Sequence, residues 1–187
     1  MRLIKCLAFA LIILSISTGC GKIANMQQKA YQLSGSGNYT EALELYEKME
    51  AEKPKDPLIL NDYGWTLFIT DSLEAASKKL ESAKNACNEG SSILKRNIEK
   101  NLTITNSYIK IKEHLCEGNS DQAKEVLDEI DRSWKAREMR LKHYALIHES
   151  MGNEGEATKY WQRILNFYPD DGERNQFQKL ASSKIRQ

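Results

Sequence analysis

Histidines and acidic residues are the side chains in this sequence that could carry metal or acid–base chemistry. His148 and Glu149 begin like the zinc-protease motif, but Gly152 stands where the second metal-binding histidine would be. His143 and His148 are five positions apart, a spacing that does not place both on one helical face. His114 is the third histidine and has no such neighbour. We therefore predict no metal, no cofactor and no catalytic residue, and interpret the histidines as packing or solvated side chains.

Other enzyme classes and nucleic-acid binding are also disfavoured by the sequence. It contains no glycine-rich phosphate loop and no nucleophile-elbow motif. Charged residues make up 28% of the chain, so its many carboxylates are expected to form solvent-facing ion pairs on helices. The 27 basic and 26 acidic residues nearly cancel, which gives no strong field to recruit nucleic acid.

The sequence has four cysteines. Cys6 and Cys20 lie in the N-terminal segment, and Cys87 and Cys116 lie in the region after residue 20. If Ser92 to Glu117 form one helix with a rise of about 1.5 Å per residue, the two thiols lie tens of Å apart. A disulfide requires Cα atoms within about 7 Å. We expect two buried free thiols and no bridge.

The N-terminal residues 1–19 have the pattern of an export signal. Arg2 and Lys5 precede the apolar run 7–16, which is shorter than the roughly 20 residues needed to span a bilayer as a helix. Residues 17–20 (Ser-Thr-Gly-Cys) then resemble the bacterial lipoprotein box, which implies that Cys20 becomes the lipidated first residue of the mature chain, although Ser17 replaces the usual aliphatic residue. Ordinary signal cleavage before an unlipidated Cys20 is the alternative. Gly21 after the cysteine favours the periplasmic side of the outer membrane, by analogy with Gram-negative sorting.

One short motif, a turn of small or polar residues followed by alanine, occurs four times in the remaining sequence. Its alanines are Ala42, Ala76, Ala123 and Ala157, which are 34, 47 and 34 residues apart. Each alanine is followed four residues later by a large side chain and three residues after that by a small or apolar one, a spacing that places all three on one helical face. These triplets are Ala42/Tyr46/Met49, Ala76/Leu80/Ala83, Ala123/Leu127/Ile130 and Ala157/Trp161/Ile164.

This periodicity resembles the tetratricopeptide (TPR) family, whose repeat has 34 residues. The resemblance implies an all-α, right-handed superhelical stack of about four helical hairpins, with roughly nine helices in total. The domains predicted on this basis are the signal 1–19, a lipidated N-terminus and tether 20–22, and a TPR domain 23–187. Its repeats are 23–56, 57–90, 104–137 and 138–171; residues 91–103 are an insertion that lengthens one helix so that it protrudes, and 172–187 form a capping helix. Pro54 and Pro169 are expected to end repeats, and Trp134 is interpreted as a core or hinge residue.

In TPR proteins the first helix of each hairpin lines a partner-binding groove. Carrying the family's groove positions over to this sequence predicts the contact residues Gln27, Tyr31, Asn61, Asp62, Trp65, Phe68, Ile69, Tyr108, Lys112, Lys142, His143 and Leu146. Trp65, Phe68 and Ile69 form the most informative cluster, because large apolar side chains off the packing stripe indicate a contact surface. Packing of Trp65 under a neighbouring unit is the alternative. The clamp that some TPR cochaperones use to bind acidic tails is not expected, since Asp62 and Gln27 replace two of its residues.

An export signal, a lipid box and TPR repeats together resemble the Tad/Flp pilus assembly lipoproteins, and more loosely the type IV pilotins. The resemblance implies a non-enzymatic scaffold that helps to assemble a pilus or secretion system. Its partners would be envelope proteins such as a secretin or a pilus component, with no small-molecule substrate. An adaptor that regulates a cell-wall hydrolase or protease is the second hypothesis, and an enzyme with carboxylate chemistry in the groove is a weaker third.

Overall fold

A computed structural model describes residues 21–88, 91–130, 137–166 and 176–185. Within these ranges the chain forms nine helices and no strand, which confirms the prediction of an all-α protein. The signal, Cys20, Trp134 and Pro169 lie outside the described residues. The helices are α1 (21–35), α2 (Tyr39–Glu52), α3 (Pro57–Ile69), α4 (Leu73–Ala86), α5 (Ser92–Cys116), α6 (Ser120–Glu129), α7 (Arg137–Ser150), α8 (Glu154–Leu165) and α9 (Gln176–Ile185).

Four turns with the same backbone geometry join α1 to α2, α3 to α4, α5 to α6 and α7 to α8. At each turn one residue has a positive φ: Gly37 (84°), Asp71 (65°), Gly118 (77°) and Gly152 (73°). Its N–H bonds to the carbonyl three residues back, and the next N–H bonds to the carbonyl five residues back, as in Asn119 to His114 at 2.8 Å. This is the Schellman arrangement, which ends a helix where the chain reverses. The four turn motifs of the sequence therefore adopt the same backbone structure at the same position in each hairpin.

The second helices α2, α4, α6 and α8 bury the face that the alanine triplets predict. The alanines let the partner helix approach closely, and the closest case is α3 against α4, where a Cβ added to Gly64 would lie 2.7 Å from Leu80 Cγ. No side chain larger than hydrogen fits at Gly64 unless Leu80 moves. All twelve predicted side chains are buried: Ala42, Tyr46, Met49, Ala76, Leu80, Ala83, Ala123, Leu127, Ile130, Ala157, Trp161 and Ile164.

The first helices α1, α3 and α5 run parallel to one another, and α2 and α4 run antiparallel to them. Gln27 and Ser34 of α1 contact Asp62 and Thr66 of α3 in the same order along the chain. Along α4 and α5 the order reverses, since Ser77 contacts Asn106 and Glu74 contacts Lys112. We call the end where α1, α3 and α5 begin the basal end, and the opposite end, with Gly37 and Asp71, the turn end.

The inserted residues 91–103 are part of α5, which has 25 residues. One face of this segment packs against the stack, and its other residues are exposed. Ile98 is fully buried in a cluster with Leu60 and Ala83, and Asn101 donates a 3.0 Å hydrogen bond to Asn61. Apolar side chains at four-residue spacing give the added turns a face that packs on α3 and α4.

The insertion changes the register between the second and third hairpins. Asn101 pairs with Asn61, 40 residues earlier in the chain, and the ring of Tyr108 contacts that of Phe68 with the same separation. The corresponding turn residues, Asp71 and Gly118, are 47 residues apart. The end of α5 at Cys116 therefore extends seven residues beyond the end of α3 at Ile69, about 10 Å at 1.5 Å per residue.

Both ends of the described chain are packed helices. α9 buries Phe177 and Ala181 and contacts α8 and α7, as expected of a capping helix. Glu149 joins it to the body, because its carboxylate accepts hydrogen bonds from Trp161 Nε1 at 2.8 Å and from Lys184 Nζ at 2.9 Å. At the other end, residues 21 and 22 already belong to α1, which corrects the prediction of a tether at 20–22.

Cys87 and Cys116 are both free thiols in the structure. Their predicted burial is wrong. Cys87 is half-buried near Leu94, and Cys116 is exposed at the last residue of α5. Cys116 is exposed because this end of α5 extends beyond its neighbour α3.

Candidate partner-binding surface

The twelve predicted groove residues separate into a buried set and an accessible set. Burial inside the protein excludes direct contact with a partner in this conformation, and it applies to Asn61, Phe68, Tyr108, Lys142 and His143. The accessible residues are partly or largely exposed; they are Gln27, Tyr31, Asp62, Trp65, Ile69, Lys112 and Leu146. The prediction that all twelve line an open groove is thus corrected for the buried five.

The buried set is centred on a row of rings that runs across three first helices. The ring centroid of Phe68 in α3 lies 5.2 Å from that of Tyr108 in α5, edge to face. Tyr108 in turn lies 4.8 Å from the ring of His143 in α7, again edge to face. Such pairs stabilise a core by about 0.5–1.5 kcal/mol beyond their buried area. This closed half of the first-helix face is therefore a packing contact between helices.

An ion pair joins the second hairpin to the fourth within the closed half. Lys142 Nζ of α7 contacts Asp71 Oδ2 at the turn end of α3. Only 9% of the Lys142 side chain is exposed, compared with 42% of that of Asp71. Because burial of an unpaired ammonium is costly, Asp71 is the group that lets Lys142 occupy this position.

His143 is neutral at pH 7 in this environment. Its burial, and then the neighbouring ammonium of Lys142, lower the pKa of His143 to about 4. Its Nδ1 lies 2.8 Å from the carbonyl oxygen of Met139, so Nδ1 carries the proton and donates this bond. Within the described residues no cluster of three histidine, cysteine or acidic side chains could hold a metal ion.

Five residues of the accessible set lie on the neighbouring helices α1 and α3, and we call them the open patch: Gln27, Tyr31, Asp62, Trp65 and Ile69. Gln27 Nε2 and Asp62 Oδ2 are 3.4 Å apart and join the two helices. Tyr31 is 68% exposed, one turn beyond Gln27. Trp65 is half-buried and stacks on Phe68, with ring centroids 4.8 Å apart.

A buried phenol contacts the residues that join α3 to α1. The hydroxyl of Tyr46, on α2, is hydrogen-bonded to Thr66 and Ser34, the residues that join α3 to α1 below the patch. Burial raises the pKa of Tyr46 to about 12, so the phenol stays neutral. The two helices that carry the patch are thus joined through Ser34, Thr66 and Tyr46.

Lys112 and Leu146 do not join the open patch. Lys112 Nζ lies 3.3 Å from Glu74 Oε1 at the start of α4, so it extends toward a second helix. Leu146 is half-buried against the core that contains α7. The structure therefore brings five of the seven accessible residues together.

Sequence reasoning missed the role of Asp71, which it treated as a turn residue alone. Three of the four equivalent turn positions carry glycine, the residue that adopts a positive φ most easily. Aspartate at the fourth position indicates that its side chain has a use, and its pairing with Lys142 supplies one. Asn101, which pairs with Asn61, left no comparable signal.

No family model, curated protein or solved structure matches this chain. None of the helices in the described ranges combines the length and the apolar character needed to cross a membrane.

Proposed function

We propose that this chain is a non-enzymatic, protein-binding scaffold of the TPR type, held at the bacterial cell envelope by a lipid on Cys20. The observation that carries the proposal is the set of four turns with one geometry, spaced like the alanines that follow them. Each turn joins two helices whose contact face begins with a buried alanine. Helical pairs that must stack on each other to bury their apolar faces are the basis of repeat scaffolds.

The nine helices of the described ranges are consistent with four hairpins and a cap in a right-handed superhelix, which is the finer form of this proposal. Parallel first helices at α1, α3 and α5 support it. The insertion in α5 departs from the regular repeat, because it shifts the end of α5 by about two helical turns relative to α3.

The open patch is the proposed contact for the partner. Tyrosine and tryptophan supply large rigid contact areas and are enriched among residues that dominate binding energy. A patch of two aromatic rings and Ile69, bordered by the amide of Gln27 and the carboxylate of Asp62, suits a partner helix or an extended segment with apolar anchors. We propose that this partner is an envelope protein of a pilus or secretion assembly.

Capture from detergent-solubilised envelopes tests the patch. The full chain should recover the same envelope protein repeatedly, and the double variant Tyr31→Ala/Trp65→Ala should lose it. Lys110→Ala is the matched control, because Lys110 is exposed, lies on a first helix and is outside the patch. Equal recovery by the double variant would reject the patch as the contact.

Metabolic labelling with a clickable fatty acid tests the anchor. The chain should take up label at Cys20, and Cys20→Ala should abolish it. Label that persists in Cys20→Ala would show that the lipid is elsewhere.

A further inference from the structure

Two of the three most exposed large hydrophobic side chains in the described ranges lie at the basal end. Leu58, in the first turn of α3, is 43% exposed, and Ile93, in the first turn of α5, is 69% exposed. The third is Tyr31 of the open patch. Leu58 and Ile93 belong to parallel helices that begin at the same end of the molecule, so both lie at that end.

Five exposed basic side chains surround these two hydrophobic residues. Lys53 and Lys55 lie between α2 and α3, Lys84 lies in the last turn of α4, and Lys95 and Arg96 lie in the first turns of α5. None of the five forms an ion pair with any residue that the structure describes.

Most acidic groups of the basal end have partners. Glu52 pairs with Lys22 at 2.5 Å, and Glu50 pairs with Lys79 at 2.6 Å. The carboxylate of Asp56 accepts hydrogen bonds from the first N–H groups of α3. Glu81 and Glu99 are exposed near this end, so the five basic side chains outnumber the exposed carboxylates next to the apolar groups.

The basal end is also the end at which the chain leaves Cys20. α1 includes residue 21, Lys22 is paired with Glu52, and Ile23 is buried. Since one residue spans at most about 3.6 Å, a lipid on Cys20 would hold the basal end at the membrane surface without a flexible linker.

We propose that the basal end docks on the surface of an anionic phospholipid bilayer. Leu58 and Ile93 enter the headgroup region, and the five cations contact lipid phosphates. Basic side chains within a Debye length of an anionic surface are attracted to it, and adjacent apolar side chains add to this attraction. The first helices then stand away from the membrane, with the open patch facing sideways toward other envelope proteins. The orientation rests on the lipid anchor of the proposed function, whereas the attraction to anionic lipid does not.

The test uses the full chain, purified from bacterial membranes and reconstituted into vesicles. One thiol probe is placed at the basal end in Ser92→Cys, with Cys87→Ser and Cys116→Ser to remove two other thiols, and a sample in which Cys20 is not acylated is repeated with Cys20→Ala. The second probe uses the native Cys116 near the turn end, with Cys87→Ser alone. Access of a water-soluble quencher to each probe is measured in phosphatidylcholine vesicles with and without phosphatidylglycerol.

We expect the Ser92 probe to be more protected in vesicles with phosphatidylglycerol than in vesicles without it, and the Cys116 probe to stay accessible in both. Lys53→Glu/Lys55→Glu should remove the protection that phosphatidylglycerol adds. Lys78→Glu/Lys110→Glu reverses two exposed lysines away from the basal end and should leave it unchanged. Equal access at both probes, or protection that ignores either the phosphatidylglycerol or the basal charge reversal, would overturn the proposal.

Mass spectrometry of Cys20 in the same samples separates this proposal from the proposed anchor. Protection that depends on phosphatidylglycerol in a chain without an acyl group would support the docking surface and reject the anchor. An acylated chain without such protection would retain the anchor and reject the docking surface.

Discussion

The two halves of the first-helix face have opposite properties although the same family positions describe both. In the open patch, Tyr31 is 68% exposed and Trp65 is half-buried. In the closed half, Tyr108 and His143 are buried and pack edge to face. A partner can reach the first half, whereas the second half holds the stack together.

The register between α3 and α5 explains this difference. If the third repeat is aligned by its turn at Gly118, it begins at residue 104, and Tyr108 then falls at an early groove position. Counted from its contacts with α3, Tyr108 lies beside Phe68, near the end of that helix. The 40-residue pairing therefore moves Tyr108 into contact with Phe68 and His143. Family positions can be carried across an insertion only after the packing register is known.

Truncation of Tyr108 should give the largest difference between the two halves. We expect Tyr108→Ala to lower the free energy of unfolding by about 3–5 kcal/mol, because it leaves a cavity among Phe68, His143 and their neighbours. Urea unfolding followed by circular dichroism measures this. A loss below about 1 kcal/mol, the typical effect of an average substitution, would show that the ring row does not stabilise the stack.

Acid should weaken the closed half through His143. Its pKa is about 4 in the folded protein and about 6.5 when unfolded, so between these values the unfolded chain binds more protons. Stability should therefore fall as the pH falls through this window, by about 2 kcal/mol between pH 7.5 and pH 5. His143→Leu should remove this part of the pH dependence. An unchanged difference between the two pH values in the variant would assign it to other groups.

Loss of the Asp71 charge should have a smaller effect. Asp71→Asn keeps a residue that tolerates a positive φ but leaves the buried Lys142 without its partner. We expect a loss of about 1 kcal/mol, because the exposure of Asp71 to solvent screens the pair. Glu74→Gln breaks the exposed pair with Lys112 and is the matched control, with an expected change under about 0.5 kcal/mol. Equal losses in both variants would contradict the distinction between the pairs.

The open patch should contribute least to stability. Tyr31→Ala removes a side chain that is mostly in solvent, and we expect the free energy of unfolding to change by at most about 0.5 kcal/mol. The same denaturation experiment checks it. A loss comparable to that of Tyr108→Ala would mean that Tyr31 is part of the core.

The second helices and the turns could be predicted from the sequence, and the first helices only in part. Alanine spacing determines which face of α2, α4, α6 and α8 is buried, because close helix contact needs a small side chain at a fixed distance from the turn. The pairings of Asn61 with Asn101 and of Asp71 with Lys142 depend instead on how far α5 slides along α3. The apolar residues Leu94, Ile98 and Leu102 predict an added helical segment but do not determine that slide.

Site-specific photocrosslinking in living cells tests the central claim most directly. A photoreactive amino acid at Tyr31 and one at Lys112 compare two residues that the sequence assigned to the same groove and the structure separates. We predict a crosslink from Tyr31 to one envelope protein, abolished by Trp65→Ala, and none to that protein from Lys112. A crosslink to the same protein from Lys112 and none from Tyr31 would contradict the assignment of the contact surface to the open patch.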